Sequence, residues 1–343
     1  MSEALVTELL RPDAPGDFER AVDLLRRGRL VAVPTETVYG LAADASNPEA
    51  VRGIFAAKQR PEHHPLIVHL AAPHQLDHWA RDIPDTARRL AAAFWPGPLT
   101  LLLHKAPNVS PVVTGGRDTI GLRVPAHPVM HRLLEAFGGG LAAPSANRYQ
   151  QLSPTSAWQV MEGLGGRIDA VLDGGRCEVG VESTIVDLTG DVPRIVRAGP
   201  VTRAELQDAL GQAVDFPETH DVAVPGNVAM HYRPRTPLYL FGIDELRARL
   251  RAKTDDAPIA VVSRHGVDVD HARGIARTVA MPENKADYAQ RLYDMLHTLD
   301  AAGVTAIWME RPPAQEEWRD VRDRLMRAAS LEPTAGSGRI EGT

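Results

Sequence analysis

Four short segments of the chain combine hydroxyl, amide and cationic side chains at points where predicted strands or helices end. The first is PTETVYG, residues 34–40, in which Thr35 and Tyr39 follow a short apolar strand. Hydroxyl groups in such a position can bind a small polar ligand, but a capped turn with a solvated Glu36 would produce the same pattern. Residue spacing alone leaves both interpretations open.

The second segment places Lys58 and Arg60 at the end of a predicted helix, shortly before His69 at the end of the strand PLIVHL. A lysine supplies a compact charge and an arginine a planar fork, and the two together suit a polyphosphate. Two cations at the end of a helix also oppose the helix dipole. Taken by itself, this segment favours the structural explanation.

The third segment is TIGLRVP, in which strand alternation puts Thr119, Gly121 and Arg123 on one face. A strand arginine needs an anionic partner, and a substrate carboxylate or a structural salt bridge would serve equally.

The fourth segment runs from Ala143 through Ser145 and Asn147 to Ser153. Its small residues would let the backbone approach a ligand closely, as phosphate-binding loops require. A plain turn with Ser153 as a helix cap is the alternative.

Other catalytic patterns are absent from the sequence. It contains no Walker loop, dinucleotide fingerprint, kinase motif set or zinc-ligand spacing. Thirteen histidines could supply a Ser-His-Asp set, but there is no G-x-S-x-G segment, which argues against a hydrolase. The residue pattern therefore indicates an anion- or nucleotide-binding α/β enzyme.

Helical and strand periodicities alternate along the first part of the chain and predict one α/β domain over residues 1–210. The periodicity fails over 211–237, which we interpret as a linker. A β-α-β-β-α-β-α pattern over 238–332 then predicts a smaller α/β domain, and 333–343 is a polar, glycine-rich tail.

Composition limits the function classes. A chain of 343 residues with 44% apolar and 24% charged residues is typical of a soluble protein with two domains. Its net charge of -6 provides no general positive field for nucleic acid, so any RNA contact is expected to be local. The single Cys177, with no signal sequence and no membrane-spanning stretch, predicts a cytoplasmic protein without a membrane partner.

Seven motifs, in chain order, resemble the threonylcarbamoyl-AMP synthases of the Sua5/YrdC/YciO family. They are PTETVYGLAADA, AAKQRPEHHPLIVHL, FWPGPLTLLLHK, TIGLRVPAHP, LAAPSANR, VLDGG with GVESTIVDL, and PRIVRAGP, within about residues 15–210. PGNVAMHYRPRTPLYL resembles the linker of the long two-domain Sua5 form. The resemblance implies a twisted, open mixed α/β sheet with a deep concave cavity, and a smaller Rossmann-like C-terminal domain.

The resemblance also implies an activity. L-threonine, bicarbonate and ATP, with Mg²⁺, would give threonylcarbamoyladenylate and pyrophosphate, the first step towards threonylcarbamoyladenosine at position 37 of tRNA. Such an enzyme is a nucleotidyltransferase whose product passes, in a transient contact, to a tRNA threonylcarbamoyl transferase. We find no carboxylate cage for the metal in the sequence.

Site residues follow from the motif positions. The resemblance implies a catalytic basic pair, Lys58 and Arg60, and nucleotide contacts from Lys58, Arg60, Thr119, Ser145, Asn147, Ser153, Arg197 and Tyr232, with His231 as a further linker candidate. It implies threonine contacts from Thr35, Tyr39, His69, Arg123, Ala143 and Ser183.

Two positions depart from the family pattern. Gln59 stands where the family often has glycine, and Tyr149-Gln150 stands where it often has Ser-Gly. Two alternative functions remain at this point. One is a double-stranded RNA-binding module with a local basic patch, and the other is an enzyme of the same fold that handles carbamoyl phosphate.

Overall fold

The structure is a computed structural model that describes residues 5–226 and 232–330. His231, one of the predicted linker residues, lies outside the described residues. Within the described ranges, no helix is long and apolar enough to span a membrane.

The first part of the chain forms a large mixed sheet of eleven strands. In chain order these are β1 (Glu8–Leu10), β2 (Val31–Val33), β3 (Gly40–Asp44), β4 (Ile67–His69), β5 (Ala80–Arg81), β6 (Leu99–Lys105), β7 (Thr119–Arg123), β8 (Leu141–Ala142), β9 (Ala170–Leu172), β10 (Thr184–Asp187) and β11 (Arg194–Arg197). Their spatial order is β1-β9-β2-β3-β8-β4-β7-β6-β10-β11, with β5 beside β6. The predicted mixed sheet is confirmed.

Eight helices accompany this sheet in the described residues. They are α1 (Asp17–Arg26), α2 (Pro48–Lys58), α3 (Leu76–Trp79), α4 (Asp85–Phe94), α5 (Pro111–Thr114), α6 (Pro128–Phe137), α7 (Ala157–Leu164) and α8 (Arg203–Leu210). The main core includes apolar side chains of α2, α4 and the central strands, and a second cluster joins α1 and α6. Sheet and helices therefore hold the central strand ends rigidly.

The last part of the chain forms a parallel four-stranded sheet in the order β12-β15-β13-β14. Its elements are β12 (Leu238–Phe241), α9 (Ile243–Ala252), β13 (Ile259–Ser263), β14 (Ile275–Ala280), α10 (Lys285–Asp300), β15 (Ala306–Glu310) and α11 (Arg319–Ala328). This is the element order that the sequence predicts. Helices α9 and α10 form two of the three connections between the parallel strands, and such crossovers are expected of a Rossmann-like unit, whereas β13 and β14 are joined by a loop.

Helix α2 shows how local sequence delivers the predicted basic pair. Asn47 Oδ1 accepts hydrogen bonds from the amides of Glu49 and Ala50, and Pro48 occupies the first helical position. The helix ends at Lys58, and Gln59 terminates it with a left-handed φ of 54°. Gln150 also has a positive φ, of 66°. Both departures from the family's glycines therefore lie where a glycine backbone is favoured.

Replacing Gln59 by glycine is expected to raise the free energy of unfolding by about 0.5–1 kcal/mol, because the left-handed C-terminal position disfavours a side chain. Thermal denaturation would measure the change. Gln207→Gly, inside α8, is the matched control and should lower stability by up to about 1 kcal/mol. A destabilised Gln59→Gly variant would contradict this account.

Candidate active site

A cavity opens where the carboxyl ends of β4 and β7 lie side by side. These strands are parallel, and their last residues, His69 and Arg123, are paired in register. The cavity has a volume of about 540 Å³, including its mouth. Nine of the residues predicted for the site line it: Thr35, Arg60, His69, Arg123, Ala143, Ser145, Ser183, Arg197 and Tyr232.

Arg123 is buried, with 4% of its surface exposed. Its Nε donates to the carbonyl of Gly97 at 3.0 Å, and its Nη1 donates to Thr37 Oγ1 at 3.0 Å. Its Nη2 lies 2.6 Å from Glu36 Oε1. Three fixed contacts therefore hold the guanidinium in one orientation at the cavity wall.

His69 is also buried, and burial together with the charge of Arg123 lowers its pKa to about 3. The imidazole is therefore neutral at physiological pH. Its Nδ1 has no hydrogen-bond partner among the described residues. A neutral ring with an unpaired nitrogen is suited to exchange a hydrogen bond with a polar ligand.

Two further arginines face the same cavity. Arg60 Nη2 donates to the carbonyl of Pro65 at 3.0 Å, whereas its buried Nε has no partner among the described residues. Arg197 donates to the carbonyl of Ser183 at 3.0 Å and to its hydroxyl at 2.9 Å. Burial lowers both pKa values to about 10, so both groups stay charged at neutral pH. Three cations around one cavity favour an anionic ligand.

Lys58 does not line this cavity. Its ammonium donates to the carbonyl of Ser145 and, at 2.5 Å, to that of Asn147, and 2% of the residue is exposed. Burial, and secondarily the charge of Arg60, lowers its pKa well below the usual range. In this arrangement the lysine anchors the loop that carries Ser145.

The other four predicted residues also lie outside the cavity lining. The hydroxyl of Tyr39 donates to the carbonyl of Gly175 at 2.7 Å. The side-chain Nδ2 of Asn147 donates to the backbone carbonyls of Arg148 and Gln151. Ser153 donates to Glu182 at 2.6 Å. Thr119 begins β7 opposite His104. The first three make buried or partly buried contacts that brace the loops around the cavity.

Glu182 lines the cavity and was not predicted from the sequence. Its carboxylate accepts from Ser153, from the Tyr293 hydroxyl at 3.2 Å and from Arg324 Nε at 3.0 Å. Tyr293 and Arg324 belong to α10 and α11, so the second unit holds a residue of the cavity wall from behind. The sequence signal for it is the position of Glu182 directly before the predicted site residue Ser183 in the motif GVESTIVDL.

Tyr232 closes one side of the cavity, where its ring lies 5.9 Å from that of Tyr293. Gly226, with a φ of +82°, leaves room for the Tyr232 hydroxyl, which a Cβ at this position would overlap. The glycine therefore permits this close approach.

No group of three or more histidine, cysteine, aspartate or glutamate residues in the described ranges could hold a metal ion. Glu182 is the only carboxylate residue among those lining the described cavity, and its oxygens are engaged by Ser153, Tyr293 and Arg324. The described residues therefore do not form a protein cage for Mg²⁺.

Comparisons with known proteins agree with the motifs. The Sua5/YciO/YrdC family model, described as telomere recombination, matches residues 23–199, and the threonylcarbamoyl-AMP synthase C-terminal domain matches residues 201–330. Among curated relatives, a Pyrococcus abyssi threonylcarbamoyl-AMP synthase is 37% identical over 90% of this chain and 93% of its own length. A Bacillus subtilis protein of the same name is 36% identical over 94% and 96%.

A solved structure of Pyrococcus abyssi Sua5 complexed with L-threonine superposes with a TM-score of 0.84 and 35% identity. The match covers 94% of this chain and 97% of that one. It thus includes both sheets. The chain therefore belongs to the Sua5/YciO/YrdC family, and it carries that family's threonylcarbamoyl-AMP synthase C-terminal domain.

Proposed function

We propose that this chain is a threonylcarbamoyl-AMP synthase, a nucleotidyltransferase that joins L-threonine, bicarbonate and ATP and releases pyrophosphate. The observation that carries the proposal is the convergence of Arg60, Arg123 and Arg197 on one cavity that serine and threonine side chains also line. Relatives that bear this enzyme name match nearly the full chain.

The amino acid would bind at the Arg123 end of the cavity. Arg123 would pair with the threonine carboxylate through its guanidinium group. Neutral His69 is close to it in the paired strands and would bond a polar group of the ligand. Thr35, Ala143 and Ser183, which also line the cavity, would complete the amino-acid site, with Tyr39 bracing it from outside the lining.

The nucleotide would bind at the Arg60 and Arg197 end, where two charged guanidinium groups can neutralise phosphate oxygens. Ser145 and Tyr232 line the same cavity. We propose that Lys58 and Asn147 act by fixing the Ser145 loop, and that Ser153 acts through Glu182. Thr119, the first residue of β7, would contribute to nucleotide binding from outside the cavity lining. Mg²⁺ would enter with ATP, bound by triphosphate oxygens and water.

The proposed reaction needs positioning more than a covalent nucleophile. The threonine amine adds to the carbon of bicarbonate, and loss of water leaves a carbamate. A carbamate oxygen then attacks the α-phosphorus of ATP, the bond to the β-phosphate oxygen breaks, and pyrophosphate leaves. Fixed cations stabilise the charge that develops on the phosphates. The three buried or partly buried arginines meet this requirement.

Pyrophosphate release tests the proposal directly. The purified chain, incubated with ATP, Mg²⁺, bicarbonate and L-threonine, should release pyrophosphate only when both threonine and bicarbonate are present. Serine serves as the control for amino-acid selectivity, where one methyl group is worth about tenfold to two-hundredfold. ATP turnover that ignores threonine and bicarbonate would contradict the proposal and favour a carbamoyl-phosphate substrate.

The threonine concentration that gives half-maximal pyrophosphate release is expected to show no inflection from His69 between about pH 5 and pH 8. Its pKa of about 3 lies below this window, so the ring stays neutral throughout it. A His69→Asn variant should have weaker threonine binding but a pH profile of the same shape. An inflection near pH 6.5 in the wild type that disappears in His69→Asn would show that the ring titrates there.

A basic RNA-binding surface is not favoured by the geometry. Lys58, Arg60 and Arg123, three of the four residues that could form the local patch, are buried. We propose instead that the adenylate passes to a separate tRNA-modifying transferase in the cytoplasm, through a transient contact and without stable tRNA binding by this chain.

A further inference from the structure

Glu36 lies between two threonines that line the cavity, Thr35 and Thr37, but it is not itself part of the lining. Its carboxylate contacts Arg123, with Oε1 2.6 Å from Nη2. Only 5% of Glu36 and 4% of Arg123 are exposed. A buried negative charge therefore accompanies the arginine that we assign to the substrate carboxylate.

This ion pair is short of hydrogen bonds. Neither carboxylate oxygen of Glu36 has an aligned hydrogen-bond partner among the described residues, and the same is true of Arg123 Nη2. Buried ion pairs contribute little to stability unless hydrogen bonds satisfy their remaining atoms. The pair is therefore better explained by its effect on ligands than by its effect on folding.

The charges around the cavity indicate how the Glu36–Arg123 pair affects ligand binding. Arg60, Arg123 and Arg197 are positive, and the charge of Glu182 is engaged by Arg324 from the second unit. Without Glu36, the Arg123 end would carry an uncompensated positive charge and would attract any small carboxylate. With Glu36, the charge of Arg123 is compensated.

We propose that Glu36 is a specificity-determining residue that makes this end of the cavity select a zwitterionic α-amino acid over a simple carboxylate. This inference rests on the proposed function. The ligand carboxylate is attracted by Arg123 and repelled by Glu36, whereas an α-ammonium group is attracted by Glu36. A ligand with both charges gains from both residues, and a ligand with the carboxylate alone loses part of its attraction to Arg123.

Isothermal titration calorimetry with two ligands tests the proposal on the full chain. L-threonine is compared with (R)-3-hydroxybutanoate, which keeps the carboxylate and hydroxyl but lacks the amine. The wild type should bind threonine at least about thirtyfold more tightly. In Glu36→Gln the difference should fall below about fivefold, mainly because the hydroxy acid binds more tightly.

Glu178→Gln is the matched control, because Glu178 is an exposed carboxylate on a neighbouring segment and should leave the thirtyfold difference intact. Glu36→Asp keeps the charge and should also keep most of the difference, which provides a second variant if Glu36→Gln does not fold. A purely structural role of Glu36 would not change the ratio of the affinities for the two ligands.

Three results would overturn the inference while leaving the proposed function standing. They are a folded Glu36→Gln variant with the full difference, a folded Glu36→Asp variant that has lost it, and a wild type that binds both ligands equally. A folded wild type that binds neither ligand, even with ATP and bicarbonate present, would instead contradict the proposed function, and the inference would fall with it.

Discussion

Replacing Arg123 by alanine is expected to raise the threonine concentration for half-maximal pyrophosphate release about a hundredfold. A charge-assisted pair in a buried site contributes about 1.5–3 kcal/mol, and the alanine variant loses it. The concentration dependence on ATP should change far less, because we assign Arg123 to the threonine carboxylate and Arg60 to the nucleotide. Steady-state kinetics with each substrate varied in turn would measure both effects.

Arg123→Ala also leaves the carboxylate of Glu36 buried without a counter-charge. The same change should therefore be tested in the Glu36→Gln background, where the uncompensated charge is removed. Arg123→Lys keeps the charge but loses the planar fork, so it should recover only part of threonine use. An unchanged threonine dependence in folded Arg123→Ala would remove this residue from the proposed role.

Replacing Arg324 by alanine is expected to lower the free energy of unfolding by about 3–5 kcal/mol, because it leaves the buried charge of Glu182 unpaired. Arg324 also donates to the carbonyls of Glu182 and Ala198, so it joins the second unit to the cavity wall. Calorimetric unfolding would measure the loss. The exposed Arg251→Ala in α9 is the matched control and should change stability by no more than about 0.5 kcal/mol.

The loss of stability in Arg324→Ala should depend on pH. Burial by itself would raise the pKa of Glu182, but Arg324, Arg197 and the hydrogen bond from Ser153 outweigh it and lower the pKa below its ordinary value of 4.5. A lowered pKa stabilises the folded state above the unfolded value, and this contribution disappears as the pH falls through the folded value. The difference between wild type and Arg324→Ala should therefore shrink below about pH 4.5.

A double variant separates charge compensation from packing. Glu182→Gln with Arg324→Met removes both charges and should recover most of the stability lost in Arg324→Ala. If the double variant is as unstable as the single one, the loss comes from the packing of α11 rather than from the unpaired carboxylate.

Local sequence patterns determined the element order of the second unit and most of the longer elements of the first, and the family motifs indicated much of the cavity lining. Strand and helix periodicity is a property of neighbouring residues, so β4, β7 and the amphipathic helix α4 between them could be predicted without knowledge of the fold, whereas the single turns α3 and α5 are too short to show a period. His69 and Arg123 end parallel strands, and parallel strands bring such residues to one edge of a sheet.

Tertiary structure alone decided which charged groups face the cavity and which are used to build it. Lys58 and Arg60 are two residues apart, yet Lys58 bonds to two carbonyls and Arg60 lines the cavity. Glu182 is held by Arg324, which lies 142 residues further along the chain. Whether a buried charge meets a ligand or a protein partner depends on packing between distant segments, and periodicity contains no information about such pairing.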